Sequence, residues 1–342
     1  MARERIVSGK PGLQEDESFS WSLRPNTLKE YIGQEAIVEK LSISIEASQK
    51  RDEPHEHLLL HGPPGLGKTT LAHIISREMN SRLVSSSGPS LTKIADLMGI
   101  VTNLDNGDIF FIDEIHRLPK AVEEFIYPAM EDFRVDFVID KGPFSKVINV
   151  PLKRFTLVGA TTRVGLLSSP LRDRFGITYY LDFYPEIEMF KIVIRSAELL
   201  NVKIDNEGAK IISERSRGTP RIANRLLRRV RDYTTVRGDG NINEKTARKS
   251  LEMEGVDDYG LDSLDRKFLR VIIDYYSGGP VGIEAIAATL SEEVNTLEEL
   301  VEPYLLKIGF LMRTKRGRSV GPKAYKHFGI QLKGSSQENL FE

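Results

Sequence analysis

The sequence predicts an α/β nucleotide-binding domain on a parallel sheet, then an all-α segment, then a winged-helix head. Three observations predict it. Leu58-Leu59-Leu60-His61 runs as an apolar strand into Gly62-Pro63-Pro64-Gly65-Leu66-Gly67-Lys68-Thr69 and straight on into a helix, the spacing of a phosphate-cradling loop. A second apolar run, Ile109-Phe110-Phe111-Ile112, ends on two adjacent acids, Asp113 and Glu114. From Tyr184-Pro185 onward strand patterns give way to helical ones, and a basic two-stranded pattern closes the ordered part of the chain.

Composition narrows the classes. A chain of 342 residues has room for two to three domains. Net charge is −1, so binding to nucleic acid would have to come from local segregation of charge. The chain has no cysteine, which rules out a disulfide framework and thiolate-ligated metal. No run approaches the roughly 20 apolar residues of a membrane span, and no signal-peptide pattern opens the sequence, so a cytoplasmic location is expected. Of the six histidines, His55 and His57 stand at strand-alternate spacing, but no third metal ligand accompanies them.

In chain order, residues 1–19 are polar and turn-rich and read as a loose arm. Thr27 and Glu30 have capping-box spacing, and Leu28, Tyr31 and Ile32 cluster, either as core or beside an adenine ring. A helix over 35–50 buries Ile37, Leu41 and Ile45. In the loop, Gly62, Gly65 and Gly67 permit backbone shapes that aim consecutive N–H groups at phosphate oxygens. Lys68 would reach the β- and γ-phosphates, Thr69 would ligate Mg²⁺, and the helix entered at Thr70 offers its N-terminus to the anion. A strand over 82–86 and a helix over 90–98 follow. Asp113 stands at the C-terminal end of a buried strand, where ligands of open α/β sheets sit, and fits the Mg²⁺-holding acid. Glu114 is placed to orient an attacking water.

Residues 133–150 change to period two, a long hairpin inserted in the α/β domain. Its alternating apolar residues Phe133, Val135, Phe137 and Ile139 either fold onto that domain or face a protein partner. The strand 155–162 ends in Thr161 and Thr162, whose hydroxyls could sense a γ-phosphate or hold the lytic water. An arginine in Pro170-Leu171-Arg172-Asp173-Arg174-Phe175-Gly176 is either a surface ion pair or a finger entering a neighbour's site. Helices over 187–200, 206–215, 220–235 and 244–254 make the all-α segment. Thr219 is its N-cap candidate and Pro220 its first-turn residue. Arg221, a cation at a positive helix end, is locally unfavourable unless a polyphosphate joins it.

Asp257 to Gly260 reads as a linker. Helices over 265–276, 283–290 and 292–308 follow, with Ser291 as cap and Gly309 as stop. Then Phe310 to Thr314 and Ser319-Val320 flank a basic turn, Lys315-Arg316-Gly317-Arg318. Charge is sorted: 281–302 carries six acids and no bases, 303–337 eight bases and no acids. A helix bearing Glu292, Glu293, Glu298, Glu299 and Glu302 would repel major-groove phosphates, so the wing is expected to touch DNA, mainly at phosphates. Residues 331–342 read as a disordered tail.

GPPGLGKTT, FFIDEIHRL, GATTR, SPLRDRFG, GTPRIANRLLRRVRD and the Arg-Gly-Arg wing, in that order, closely resemble the RuvB family of Holliday-junction branch-migration ATPases over about residues 20–330. The resemblance implies an AAA+ large domain (20–184), a helical lid (185–257) and a winged-helix head (258–330), assembled as a homohexameric ring around duplex DNA. It implies an ATPase using ATP and Mg²⁺. Lys68 and Thr69 would take phosphate and metal, Asp113 the metal, Glu114 the water. Thr162 looks like the first sensor with Thr161 as rival, Arg174 the finger in trans with Arg172 as rival, and Arg221 the second sensor. Leu23, Arg24, Ile32 and Tyr184 would line the adenine side. The 133–150 hairpin would dock a RuvA-type junction-binding protein, and Arg313, Arg316 and Arg318 would contact DNA. A RuvC-type resolvase is a further implied partner. The competing readings are a clamp-loader- or initiator-like switch ATPase and a protein-remodelling ATPase.

Overall fold

The computed structural model describes residues 22–139 and 146–331, with side chains over 22–136 and 148–331. The first unit, up to Glu188, holds helix α1 (Glu35–Arg51), strand β1 (Leu58–His61), α2 (Lys68–Glu78), β2 (Leu83–Ser87), α3 (Ile94–Val101), β3 (Ile109–Asp113) and α4 (Lys120–Glu131). A hairpin of β4 (Arg134–Ile139) and β5 (Lys146–Pro151) follows, then β6 (Thr156–Thr161), the short α5 (Ser169–Asp173) and β7 (Ile177–Tyr180). Five strands form a sheet in the order β2-β3-β6-β1-β7, every pairing parallel. Apolar runs without alternation become strands covered on both faces, so Leu58, Leu59, Leu60, Phe110, Ile112, Leu157 and Val158 are all buried. Leu97 and Val101 of α3 and Val122 and Ile126 of α4 pack on that sheet.

Local signals were partly overridden. Thr27 makes no capping hydrogen bond: Leu28–Glu30 is a single 3₁₀ turn, and Glu30 instead accepts from the Asn26 N–H at 3.0 Å. The helix expected from residue 90 begins at Ile94, because Gly88–Ser90 forms a separate 3₁₀ turn with Pro89 inside it. The hairpin is antiparallel as expected, with Phe137 opposite Ile148; of its apolar residues, Val135 is buried in the domain core and Phe133 is half-buried against it. The side chains of 137–147, on which the partner-facing expectation for Phe137 and Ile139 rests, lie outside the described residues, as do the arm and the tail.

The second unit carries the last part of α6 (Glu186–Leu199), then α7 (Asn206–Glu214), α8 (Pro220–Arg237) and α9 (Glu244–Met253). It is not purely helical: β8 (Lys203–Ile204) pairs in parallel with β9 (Asn241–Ile242), two strands too short to leave a periodic signal. Thr219 takes the extended N-cap conformation of α8 without a side-chain cap.

The expected linker at 257–260 is a bonded turn. Asp257 Oδ1 accepts from the Leu261 and Tyr259 N–H groups at 2.8 and 3.0 Å. Arg217 Nε donates to the Gly260 carbonyl at 2.7 Å and its Nη2 to Asp265, with side-chain exposures of 2% and 0%. Tyr304 Oη donates to the Tyr259 carbonyl at 2.8 Å. A turn bonded to Arg217, which is itself buried in an ion pair with Asp265, is not a free tether, and the helical segment and the head fall in one compact unit.

The head contains α10 (Ser263–Tyr276), α11 (Ile283–Leu290), a broken helix, and the wing strands β10 (Leu311–Thr314) and β11 (Gly317–Val320). Ser291, in the left-handed region, ends α11 rather than starting its successor. The helix expected over 292–308 is three pieces: α12 (Val294–Thr296), a π turn at Leu297–Val301 and α13 (Glu302–Lys307). Pro303 has no N–H to donate at that point, so the regular ladder is interrupted there. A further helix, α14 (Pro322–His327), follows the wing.

Candidate active site and DNA-contact surface

The C-terminal ends of β1, β3 and β6 converge, because these are neighbouring parallel strands. β1 delivers the phosphate loop. Gly62 has φ +140°, and a Cβ there would collide with the Leu181 carbonyl oxygen. Gly67 has φ +101°, and its Cβ would lie 2.7 Å from Tyr31 Oη. Both positions therefore demand glycine on conformation and on space. Beneath the loop, Tyr184 Oη donates to Tyr31 Oη at 2.8 Å, and Tyr31 donates to the Leu66 carbonyl at 3.3 Å. Burial pushes both phenols above their ordinary range, so they remain protonated donors that pin the loop from below. Leu23 and Tyr184 are buried and Ile32 is half-buried in the same unit.

Lys68, at the first position of α2, is buried, and its Nζ donates to the Gly62 and Pro63 carbonyls at 2.7 and 2.8 Å. Thr69 Oγ1 faces Asp113 Oδ2 at 3.5 Å, two hard oxygen donors suited to a magnesium ion. Asp113 Oδ1 accepts from the Glu114 N–H at 2.9 Å, which fixes the carboxylate. Glu114 sits at φ +47°, an unusual conformation for a non-glycine residue, and its carboxylate takes Arg117 Nη1 at 2.8 Å. Thr70 follows on the same first turn of α2.

β6 lies between β1 and β3, so its end falls between the phosphate loop and Asp113. The two threonines there differ sharply. Thr161 Oγ1 accepts from the Arg163 N–H at 2.9 Å and shares a second hydrogen bond with His116 Nδ1 at 2.9 Å, so its hydroxyl is engaged on both sides. Burial pushes the His116 imidazole below its ordinary range, which favours the neutral ring. Thr162 Oγ1 is buried with no hydrogen-bond partner. A buried unsatisfied hydroxyl is costly and rare. His116 was not foreseen as part of this site. Its signal was its place three residues past Asp113, where a 3₁₀ turn brings the ring back over β6.

Arg174 ends α5 in the same unit. Its guanidinium lies 4.2 Å from the Tyr127 ring centroid, Nη1 donates to the Pro170 carbonyl at 2.7 Å, and Nη2 to Glu131 at 3.1 Å. Arg172 is exposed and bonds Ser169 Oγ at 3.0 Å. Arg221 stands on the first turn of α8, in the other unit, and is half-buried. His55 and His57 are not a metal pair. His57 donates to the Met130 carbonyl and accepts from the Leu157 N–H, while His55 bonds Ser44 and Glu56, so all four ring nitrogens are occupied.

On the wing, the structure places the three arginines differently. The turn is Lys315-Arg316, and Arg318 belongs to β11, where alternation turns it inward with Val320. Arg318 is buried: Nε donates to Glu302 at 2.6 Å and Nη2 to Glu298 at 3.0 Å. A duplex contact that drew it out of this pairing would leave two carboxylates behind. Arg313 and Arg316 are exposed, Arg313 standing 3.7 Å from Glu298. The acids also need correcting, since Glu302 is buried under the wing and Glu298 faces two arginines, so neither presents bare charge to a phosphate. Among the described residues no helix is long and apolar enough to cross a membrane.

Comparison with known proteins adds an independent line. Three family models match in succession: the Holliday junction DNA helicase RuvB P-loop domain over residues 23–181, the RuvB AAA lid domain over 184–257 and the RuvB C-terminal winged helix domain over 258–329. The Holliday junction branch migration complex subunit RuvB of Fusobacterium nucleatum is 57% identical over 325 residues, covering 95% of this chain and 98% of that protein. The protein of the same name from Clostridium kluyveri is 54% identical, with 99% of each covered. The solved structure of the Thermotoga maritima RuvB Holliday junction branch migration motor is 53% identical, with a TM-score of 0.84, covering 91% of this chain and 99% of that one. With matches along essentially its whole length, this chain belongs to the RuvB family of P-loop AAA+ ATPases.

Proposed function

We propose that this chain is the motor subunit of Holliday-junction branch migration, hydrolysing ATP to draw duplex DNA through a homohexameric ring. The observation that carries the site assignment is the buried, partnerless Thr162 hydroxyl at the strand end between the phosphate loop and Asp113. A γ-phosphate oxygen or the lytic water would satisfy it. In this reading Lys68 exchanges its two loop carbonyls for phosphate oxygens, and Glu114 leaves Arg117 to orient water. Thr69 and Asp113 would hold Mg²⁺, which would supply charge neutralisation to the bound phosphates. Leu23, Arg24, Ile32 and Tyr184 flank the adenine, and Thr70 completes the phosphate turn. Arg174 serves a neighbouring subunit's site and Arg221 reports γ-phosphate loss to the lid.

Because Arg217–Asp265 joins lid and head, a lid rotation would be transmitted to the wing undamped. Arg313 and Arg316 then act on DNA phosphates, giving sequence-independent affinity with a steep salt dependence. The partners are four-way junctions with their duplex arms and a RuvA-type protein on the 133–150 hairpin, with a RuvC-type resolvase downstream, in the cytoplasm. The test is ATP-driven dissociation of a labelled four-way junction with a RuvA-type partner present, wild type against Lys68→Arg. Separation by wild type alone supports the motor. Hydrolysis with intact junctions would instead favour an ATPase that acts as an assembly switch.

A further inference from the structure

We propose that Tyr127 is the positioning residue of the arginine finger, an inference that rests on reading Arg174 as that finger. A finger must hold a long cation in one orientation, away from its own nucleotide, until a neighbour's phosphate arrives. Arginine loses considerable rotamer freedom in doing so, which a rigid platform would offset. Tyr127 supplies one. It lies on α4, four residues before Glu131, so both side chains point to the same helix face. The Arg174 guanidinium stacks 4.2 Å from the ring centroid, while Glu131 and the Pro170 carbonyl take one terminal nitrogen each.

The platform is itself fixed. Tyr127 Oη donates to Glu123 Oε1 at 2.6 Å, and Ser168 Oγ, which caps α5 by accepting from the Leu171 N–H, lies 3.1 Å from the phenol and also bonds Glu123. One network therefore ties the helix that carries the ring to the helix that carries the finger. Two features show that Arg174 is held ready rather than consumed. Its Nε is buried with no hydrogen-bond partner. Its charge partner Glu131 is half-exposed, with a side-chain exposure of 53%, so exchanging it for a phosphate strands no buried carboxylate. The ring contact requires no such exchange and can persist while the terminal nitrogens change partners.

The experiment measures ATP turnover, nucleotide affinity and thermal melting of the full-length chain in rings. Tyr127→Phe keeps the platform and should turn over within about twofold of wild type, whereas Tyr127→Leu should lose about tenfold in kcat with unchanged nucleotide affinity. Tyr127→Gln repeats the loss should the leucine variant melt early. Mixing Tyr127→Leu with Lys68→Ala subunits separates positioning from simple damage. Because the finger acts in trans, the intact loop of one variant meets the intact finger of the other, and turnover should exceed the sum of the two separate pools. Adding Tyr127→Leu to Arg174→Ala should cost nothing further. An undiminished rate for Tyr127→Leu, or a loss that mixing does not relieve, overturns the proposal. The Arg174→Ala control distinguishes the failures: if that variant keeps full turnover, the finger reading itself is wrong.

Discussion

Arg174 and Arg318 carry the same charge, were singled out from sequence alike, and finish in opposite circumstances. Arg174 rests on an aromatic ring with one exposed carboxylate beside it and one guanidinium nitrogen unserved. Arg318 is enclosed by Glu302 and Glu298 and serves as the pin between the wing and the broken helix. The difference teaches what makes an arginine available. A guanidinium can leave a half-exposed acid cheaply, because water re-solvates what it leaves. It cannot leave a buried one, because the abandoned carboxylate has no water to turn to. At the end of the sheet Thr162 likewise keeps an unpaired polar atom, whereas the inner wing's Arg318 is bonded to two carboxylates.

Substitutions can break this contrast, and the largest effect belongs to the phosphate loop. Lys68→Ala should lower kcat by about 10²–10³-fold through lost charge stabilisation, without a lower melting temperature, read by steady-state hydrolysis beside a thermal scan. A comparable hydrolysis loss that tracked unfolding would assign the lysine to structure. Arg318→Ala should do the reverse, destabilising the head by about 3 kcal/mol as Glu302 is stranded, measured by chemical denaturation. Should the variant melt normally but lose DNA, Arg318 contacts the duplex after all.

Smaller effects sharpen the contrast between neighbours. Thr162→Val should reduce kcat by about tenfold or more while leaving stability level or slightly raised, since a buried unpaired hydroxyl is removed. Thr161→Val should instead cost about 1–2 kcal/mol of stability, because the Arg163 N–H and His116 lose their partner. Exchanged outcomes for the pair would reverse the sensor assignment. Smallest is Arg313→Ala, which should leave melting unchanged and lower the slope of log affinity against log salt by about 1, the signature of one lost phosphate contact. A flat salt series in the wild type would remove the wing from the DNA surface.

Legibility followed the range of the signal. The phosphate loop could be read because its glycines, lysine and threonine act within one turn and their roles follow from spacing alone. The buried strands were legible for the same reason: an uninterrupted apolar run has little choice but a covered parallel sheet. The burial of Arg318 was not legible, because a difference of one residue in where the wing turn ends reverses which side of the ribbon a residue faces. The 257–260 segment looked like a linker by composition, and became a joint only because Arg217, far away in sequence, is buried against Asp265. Thr27 and Thr219 take their N-cap positions as their sequence context implies, but neither makes the side-chain capping bond, a local contact of modest worth.

The sequence by itself determined the chemistry of the nucleotide site and the order of the three parts, since motif spacing and hydrophobic period are local properties of the chain. Only the tertiary structure decided which of two adjacent threonines keeps a free hydroxyl and which of two basic residues near the wing is spent on a carboxylate. It also decided that lid and head are one unit and that Tyr127 lies under Arg174. Each of those depends on what a side chain meets from a distant part of the chain, and desolvation at that meeting, more than residue type, sets whether a polar group is still available to act.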